Sequence, residues 1–350
     1  MNEGDIMLNR RNIEMDMMRG LAILAVILIH ITAEIINSSP NMEEMNLMFL
    51  IVNQLSRFAV PVFLFISGLG LALSSRKENY FSFLRRRVSK LLPLYLLWSV
   101  LYYVAIHLKN INLLEFAILT LKGSNYYHLY YIPVIIMLYM LFPLLKKIVR
   151  YKVAVISVFL LTVIIQLSDE LFDITVFKSA ANVFNWSIYF ILGIMFANNY
   201  NKLKITFNKK RRMSHIMFIL VSAGIVLESY LYLSLNFDIG DSTTSLRPGV
   251  IIYTLSFIVL MMSIKWGRNK IVSVIDNLAK YSYGIYLSHA LILTLWSKSY
   301  DFVGLQKDSI LYLVLSLLVV LLSSTVVSRV VDFFMKKYSL SIVINKKKAS

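Results

Sequence analysis

Cysteine is absent from the 350 residues, which excludes disulfides, thiolate nucleophiles and cysteine-based zinc sites. Charge is scarce: 16% of residues are Asp, Glu, Lys or Arg, against about a quarter in a soluble domain. Apolar side chains take the vacated share, 58% of the chain, and the mean hydropathy is +0.68. A single water-soluble core cannot hide that excess, so the solvent must be lipid. No G-x-x-x-x-G-K-[ST] loop, G-x-S-x-G elbow, H-E-x-x-H pair or G-x-G-x-x-G turn occurs. The common soluble phosphate, hydrolase, metalloprotease and dinucleotide chemistries therefore find no support, and no metal is expected. No A-x-A cleavage pattern follows the first apolar run, from Gly20 to Ile36, which reads as a retained helix and not as a signal peptide.

What is present is a succession of apolar runs, each near the roughly 20 residues that cross a bilayer. The spacing predicts an all-α integral membrane protein of about ten transmembrane helices. The expected spans are 17–37, 48–74, 91–108, 128–146, 152–168, 183–199, 214–235, 248–265, 281–298 and 309–334. The fifth, sixth and ninth are the weakest of these. The net charge of +17 would suggest nucleic acid in a soluble protein. Here the basic residues sit in alternate short loops. Arg85, Arg86, Arg87 and Lys90 stand in one set, as do Lys146, Lys147 and Arg150, and Lys209, Lys210, Arg211 and Arg212. The other set carries only Lys109, Lys122, Lys178, Arg247, Lys298 and Lys307. Positive loops stay cytoplasmic, so both termini are expected inside a multi-pass cell-membrane protein, with the lipid bilayer as partner and no nucleic acid. One membrane-embedded domain over 1–350 is expected. It would have a short cytoplasmic N-terminal segment, 1–16, and a basic tail, 336–350, beside anionic lipid.

Polar residues inside apolar spans are costly, which makes them the candidates for function. Arg19 and His30 are eleven residues apart, three helical turns, and so share a face ~16 Å apart along the axis. Asp16 lies one turn before Arg19, and Glu34 one turn after His30. His30 falls near mid-membrane, where a neutral imidazole can be buried and can still take a proton; a hydrogen-bonded core histidine is the plainer reading. Arg57 lies about three turns into the second span, ahead of Pro61, and needs a carboxylate, a carbonyl or water. A structural ion pair with Glu34 would serve. Arg87 and Lys90 are one turn apart at the mouth of the third span and suit phosphates, although simple cytoplasmic charge explains them equally. His128 and its tyrosines read slightly better as an interfacial aromatic belt. His289, half-way across the ninth span, is either a satisfied core residue or a catalytic one.

Five stretches in order resemble the acyltransferase-3 family of integral membrane acyltransferases. Asp16-Met17-Met18-Arg19-Gly20-Leu21-Ala22 through His30 is similar to its D-x-x-R-G-x-A…H opening. Arg57-Phe58-Ala59-Val60-Pro61-Val62-Phe63 through Ser67-Gly68 resembles its R-x-x-V-P-x-F-F-x-x-S-G helix. Arg87-Val88-Ser89-Lys90-Leu91-Leu92-Pro93 resembles its R-x-x-R-x-x-P loop, with Lys90 in place of the second arginine. His128-Leu129-Tyr130-Tyr131-Ile132 with Tyr139 and Pro143 resembles H-L-W-F-L…Y…P, with Tyr130 in place of tryptophan. Ser282 through His289 resembles S-x-x-I-Y-L-x-H.

The resemblance implies transfer of an acyl group, commonly acetyl, from cytoplasmic acyl-CoA to a hydroxyl of a cell-envelope glycan or related small molecule. This is the O-acetylation type of polysaccharide modification. It implies His30 as catalytic base or acyl carrier, with Arg57 or His289 steadying oxyanion charge. Arg19, Arg86, Arg87 and Lys90 become candidates for holding the donor. No extracellular SGNH-type domain, which some members carry, is expected within these residues. The rival reading is a transporter or exporter of a glycan or lipid intermediate, because intramembrane His and Arg also suit proton relays. Clear internal duplication and broken helices would favour that rival.

Overall fold

The computed structural model describes residues 12–38, 46–74, 78–108, 110–168, 179–267 and 269–348, with side chains described up to 335. Residues 1–11 and the side chains of the basic tail, which carry parts of the topology argument, lie outside this set. The described residues form fourteen helices and no strands. In chain order they are α1 (Ile13–Ser38), α2 (Leu47–Leu55), α3 (Ala59–Ala72), α4 (Tyr80–His107), α5 (Leu113–Lys122), α6 (Tyr131–Ile148) and α7 (Lys152–Gln166). Then follow α8 (Phe184–Asn198), α9 (Tyr200–Lys209), α10 (Arg211–Ser234), α11 (Ile239–Thr243), α12 (Pro248–Ser263), α13 (Lys270–Phe302) and α14 (Ile310–Lys348).

Asparagine sets several of the starts. Asn46, Asn79, Asn112 and Asn269 each accept a backbone N–H from the first turn of α2, α4, α5 and α13, satisfying donors that a helix leaves open. Pro248 opens α12, where its missing N–H costs nothing. Pro61 has the opposite effect within the second apolar run. It cannot donate to the Arg57 carbonyl, and the run breaks at 56–58 into α2 and α3. Arg57 therefore sits at a helix break and not in mid-helix.

Seven helical stretches are long and apolar enough to cross a membrane: 13–38, 47–72, 80–107, 131–148, 211–234, 239–263 and 310–335. They match the expected spans other than the fifth, sixth and ninth. The fifth and sixth correspond to the shorter apolar helices α7 and α8. The ninth is contained in α13, a 33-residue helix carrying Ser282, Ser288, His289, Thr294 and Ser297 in its apolar stretch. The third expected span began at 91, but its helix begins at Tyr80, so Arg85 through Lys90 lie on α4 and not in a loop.

Burial separates a centre from a periphery. The most apolar windows of α1 and of the α2–α3 pair are 61% and 72% buried, whereas that of α10 is 17% buried and faces outward. α1 packs on α2, α3, α12, α13 and α14, and α3 packs most closely on α8. Glycine makes two of these crossings tight. A Cβ on Gly20 would strike the Ile275 carbonyl of α13, and one on Gly68 or Gly193 would strike the facing backbone of α8 or α3. The glycine after Arg19 thus brings α13 against the face of α1 that carries the polar residues.

Candidate active site

Three cavities lie along the groove between α1 and α13. On α1, Met15 and Arg19 line the first, Val26, Ile29 and His30 the second, and His30, Ala33, Glu34 and Asn37 the third. On α13, Ser282 and Tyr283 line the first, and Leu293, Thr294 and Ser297 the third. Tyr286 lines both the first and the second. These positions are spaced mainly by three, four or seven residues, so each helix presents one face along the groove.

The first cavity, ≈ 290 Å³, holds two cations, Arg19 and Arg87, over a largely apolar and aromatic wall that includes Phe63, Leu91 and Tyr139, with Ser67 and Ser282. Arg19 Nη1 donates to Asp16 at 2.6 Å, so its charge is partly answered. Arg87 reaches the cavity from α4, stacked 6.0 Å from the Phe83 ring. The other two phosphate candidates are elsewhere. Arg86 pairs with Glu78, and Lys90 is exposed; neither lines the cavity.

The second cavity, ≈ 180 Å³, is lined by His30, Arg57, Tyr127, His128, Tyr130 and Trp186 among others. Three imidazoles meet here: the His30 and His289 rings are stacked 5.2 Å apart, and His128 lies edge-on to His289 at 4.9 Å. The three are not equivalent. His289 is fully buried, and its Nδ1 faces the Tyr286 carbonyl at 2.7 Å and the Ile285 carbonyl at 3.2 Å. Carbonyls only accept, so Nδ1 carries the proton and Nε2 of the neutral ring is an acceptor. His128 is 2% exposed, in the turn before α6, with its ring packed inside the protein and not facing outward. His30 is half-buried, lines two cavities, and makes no hydrogen bond among the described residues. It is the most exposed of the three imidazoles.

Arg57 enters the same cavity from the helix break. Its Nε and Nη2 donate to Asn53 Oδ1 at 2.9 and 2.5 Å. No carboxylate lies within ion-pair distance of it among the described residues, so the expected pairing with Glu34 does not form. Glu34 is taken by Ser297, by Lys307 at 3.0 Å and by Tyr312 at 3.0 Å. Lys307, in the turn after α13, also donates to Asp301 at 2.6 Å. Partial burial lowers its pKa, but the bonds to Asp301 and Glu34 outweigh burial and hold it above the usual lysine value. This cluster borders the third cavity, ≈ 410 Å³.

A family model described as an acyltransferase domain, Acyl_transf_3, matches residues 12–329. The chain belongs to the acyltransferase-3 family. It is an acyltransferase, and its apolar helices make it a membrane protein. No curated protein and no solved structure gives a match. The family match spans α1 through the first half of α14 and so takes in all three cavities.

Several residues at the acyltransferase's centre carried no role in the sequence reading. Tyr286 stood within a quoted motif but nothing marked it as the wall between two cavities. Asn53 and Gln54 were visible as polar residues in an apolar run, and Asn53 stands four residues before Arg57, one helical turn. That spacing is the signal that could have found the arginine's true partner. Arg247 was counted as a sparse loop charge, yet it is 1% exposed and donates to Gln54 Oε1.

Proposed function

We propose that this acyltransferase moves an acyl group, acetyl by family resemblance, from acyl-CoA to a hydroxyl of a cell-envelope glycan or related small molecule, with His30 as the base. The observation that carries the reading is the position of His30. It is the accessible member of a three-histidine cluster, and it lies between a cavity system holding cations and one lined by polar groups. CoA is a polyanion, and the Arg19–Arg87 cavity is where its phosphates or the thioester end would be drawn.

The chemistry then follows. The acceptor oxygen attacks the thioester carbonyl carbon as a His30 nitrogen takes the hydroxyl proton. Negative charge builds on the carbonyl oxygen, where Arg57 is the nearby cation with an uncommitted amino group. The carbon–sulfur bond breaks, the CoA thiolate leaves, and the imidazolium proton returns to it. His289, its Nδ1 held by backbone carbonyls and its ring stacked on His30, is suited to orient His30 by packing and not to stabilise an oxyanion. The third cavity, with Asn37, Thr294 and Ser297 on its wall, is the matching route for a hydroxylated acceptor.

The same reading puts the N-terminal end of α1 in the cytoplasm of a multi-pass cell-membrane protein, as the basic loops suggest. Ser124 and Lys210 are exposed and lie in loops of opposite expected side. In this cysteine-free chain, Ser124→Cys should react with an impermeant thiol reagent on intact cells, and Lys210→Cys should react only after permeabilisation. The reverse pattern contradicts the orientation.

The test of function is labelled acetyl-CoA supplied to membranes with matched amounts of wild type and His30→Gln. Glutamine keeps one donor and one acceptor but cannot take the proton. Turnover should fall roughly 10²–10⁴-fold with the protein still accumulating. Near-wild-type transfer by His30→Gln would remove His30 from the chemistry.

A further inference from the structure

The pairing of Arg57 is unusual for a buried guanidinium. A charge inside a membrane protein ordinarily finds a carboxylate. Here the acceptor is the amide oxygen of Asn53, which is fully buried and takes both Nε and Nη2. A third donor, Gln54 Nε2, reaches the same oxygen at 3.2 Å. Because the acceptor is neutral, the guanidinium keeps its full charge. Its Nη1 forms no hydrogen bond among the described residues, and the side chain lines the cavity of His30.

The other end of the Asn53 amide is equally committed. Its Nδ2 donates to Thr32 Oγ1 at 2.9 Å and to the Ile29 carbonyl at 3.3 Å. Ile29 and Thr32 flank His30 on α1. One side chain therefore ties the backbone that carries the base to the cation across the cavity, through hydrogen bonds that leave both reactive groups open.

We infer that Asn53 is a positioning residue for the transfer reaction: it fixes Arg57 relative to His30 and keeps the guanidinium unneutralised for the developing oxyanion. This rests on the acyl-transfer reading above, in which Arg57 steadies that charge. Asn53 touches no substrate in this account and acts only through Arg57.

The experiment first requires that wild type transfers label from acetyl-CoA and that His30→Gln does not; failure there strikes the functional reading itself. Given that, kcat and the KM for acetyl-CoA are measured for Asn53→Asp, Asn53→Ala, Arg57→Gln and the double variant Asn53→Ala/Arg57→Gln. Asn53→Asp keeps the shape and strengthens the grip on Arg57 while cancelling its charge. It should lower kcat about tenfold or more, with the donor KM within about twofold, because the donor cations lie in the other cavity. In the Arg57→Gln background, Asn53→Ala should change kcat by less than about twofold. Wild-type kcat in Asn53→Asp, or a loss from Asn53→Ala that persists in full without Arg57, would overturn the inference and leave Asn53 a packing residue. Should the Asn53 variants fail to accumulate, Thr32→Val decides. It removes one acceptor of Nδ2 and should lower kcat severalfold at unchanged donor KM, whereas wild-type kcat overturns the proposal.

Discussion

The first and second cavities share the Tyr286 side chain as a wall, yet they are built from different chemistry. The first presents arginines from two helices, one of them held by Asp16, over a largely apolar and aromatic surface. The second presents neutral-capable imidazoles, tyrosines, and one arginine held by an amide. Charges that bind a polyanion work whether or not a neighbouring carboxylate tempers them. A cation that must meet charge appearing only in a transition state gains from being left without a counter-ion. On the proposed function, binding belongs to the first cavity and bond-making to the second.

Variants can break that assignment. After His30→Gln, the largest expected loss is in Arg57→Gln: roughly 10²–10³-fold in kcat if it stabilises the oxyanion, with little change in the donor KM. A rise in KM alone would move Arg57 into the binding half. Arg87→Ala should do the opposite, raising the KM for acetyl-CoA about tenfold with kcat largely kept, since one charge-assisted hydrogen bond to phosphate is worth about 1.5–3 kcal/mol. Its effect should also shrink as salt rises. Lys90→Ala should be the smallest, within about twofold in both constants, because Lys90 is exposed and off the cavity wall. A KM increase in Lys90→Ala equal to that in Arg87→Ala would show that the donor also extends over the outer face of α4.

Much of this arrangement was readable from residue order. Arg19 and His30 could be put on one face because a helix repeats every 3.6 residues, and the apolar runs marked directly the seven helical stretches long and apolar enough to cross a membrane. What could not be read was which polar residues answer one another across helices. Glu34 looked like the partner of Arg57 by depth alone, but the turn after α13 supplies Lys307, and one helical turn before Arg57 stands Asn53. His128 looked interfacial because it precedes a helix among tyrosines; tertiary packing folds that turn inward against α13. Arg86, Arg87 and Lys90 were equivalent in the chain and are separated only by which side of α4 meets α6 and α13. The departure of Lys90 from the family's second arginine fits its place away from the cavity.

The division between binding and chemistry is tested most directly by the affinity of CoA itself for purified wild type, His30→Gln and Arg87→Ala. With no reaction in progress, only the binding half is read. The account predicts that His30→Gln binds CoA as wild type does, within about twofold, while Arg87→Ala binds about tenfold more weakly. Loss of CoA binding in His30→Gln, with Arg87→Ala unaffected, would contradict it and place the donor site in the histidine cavity.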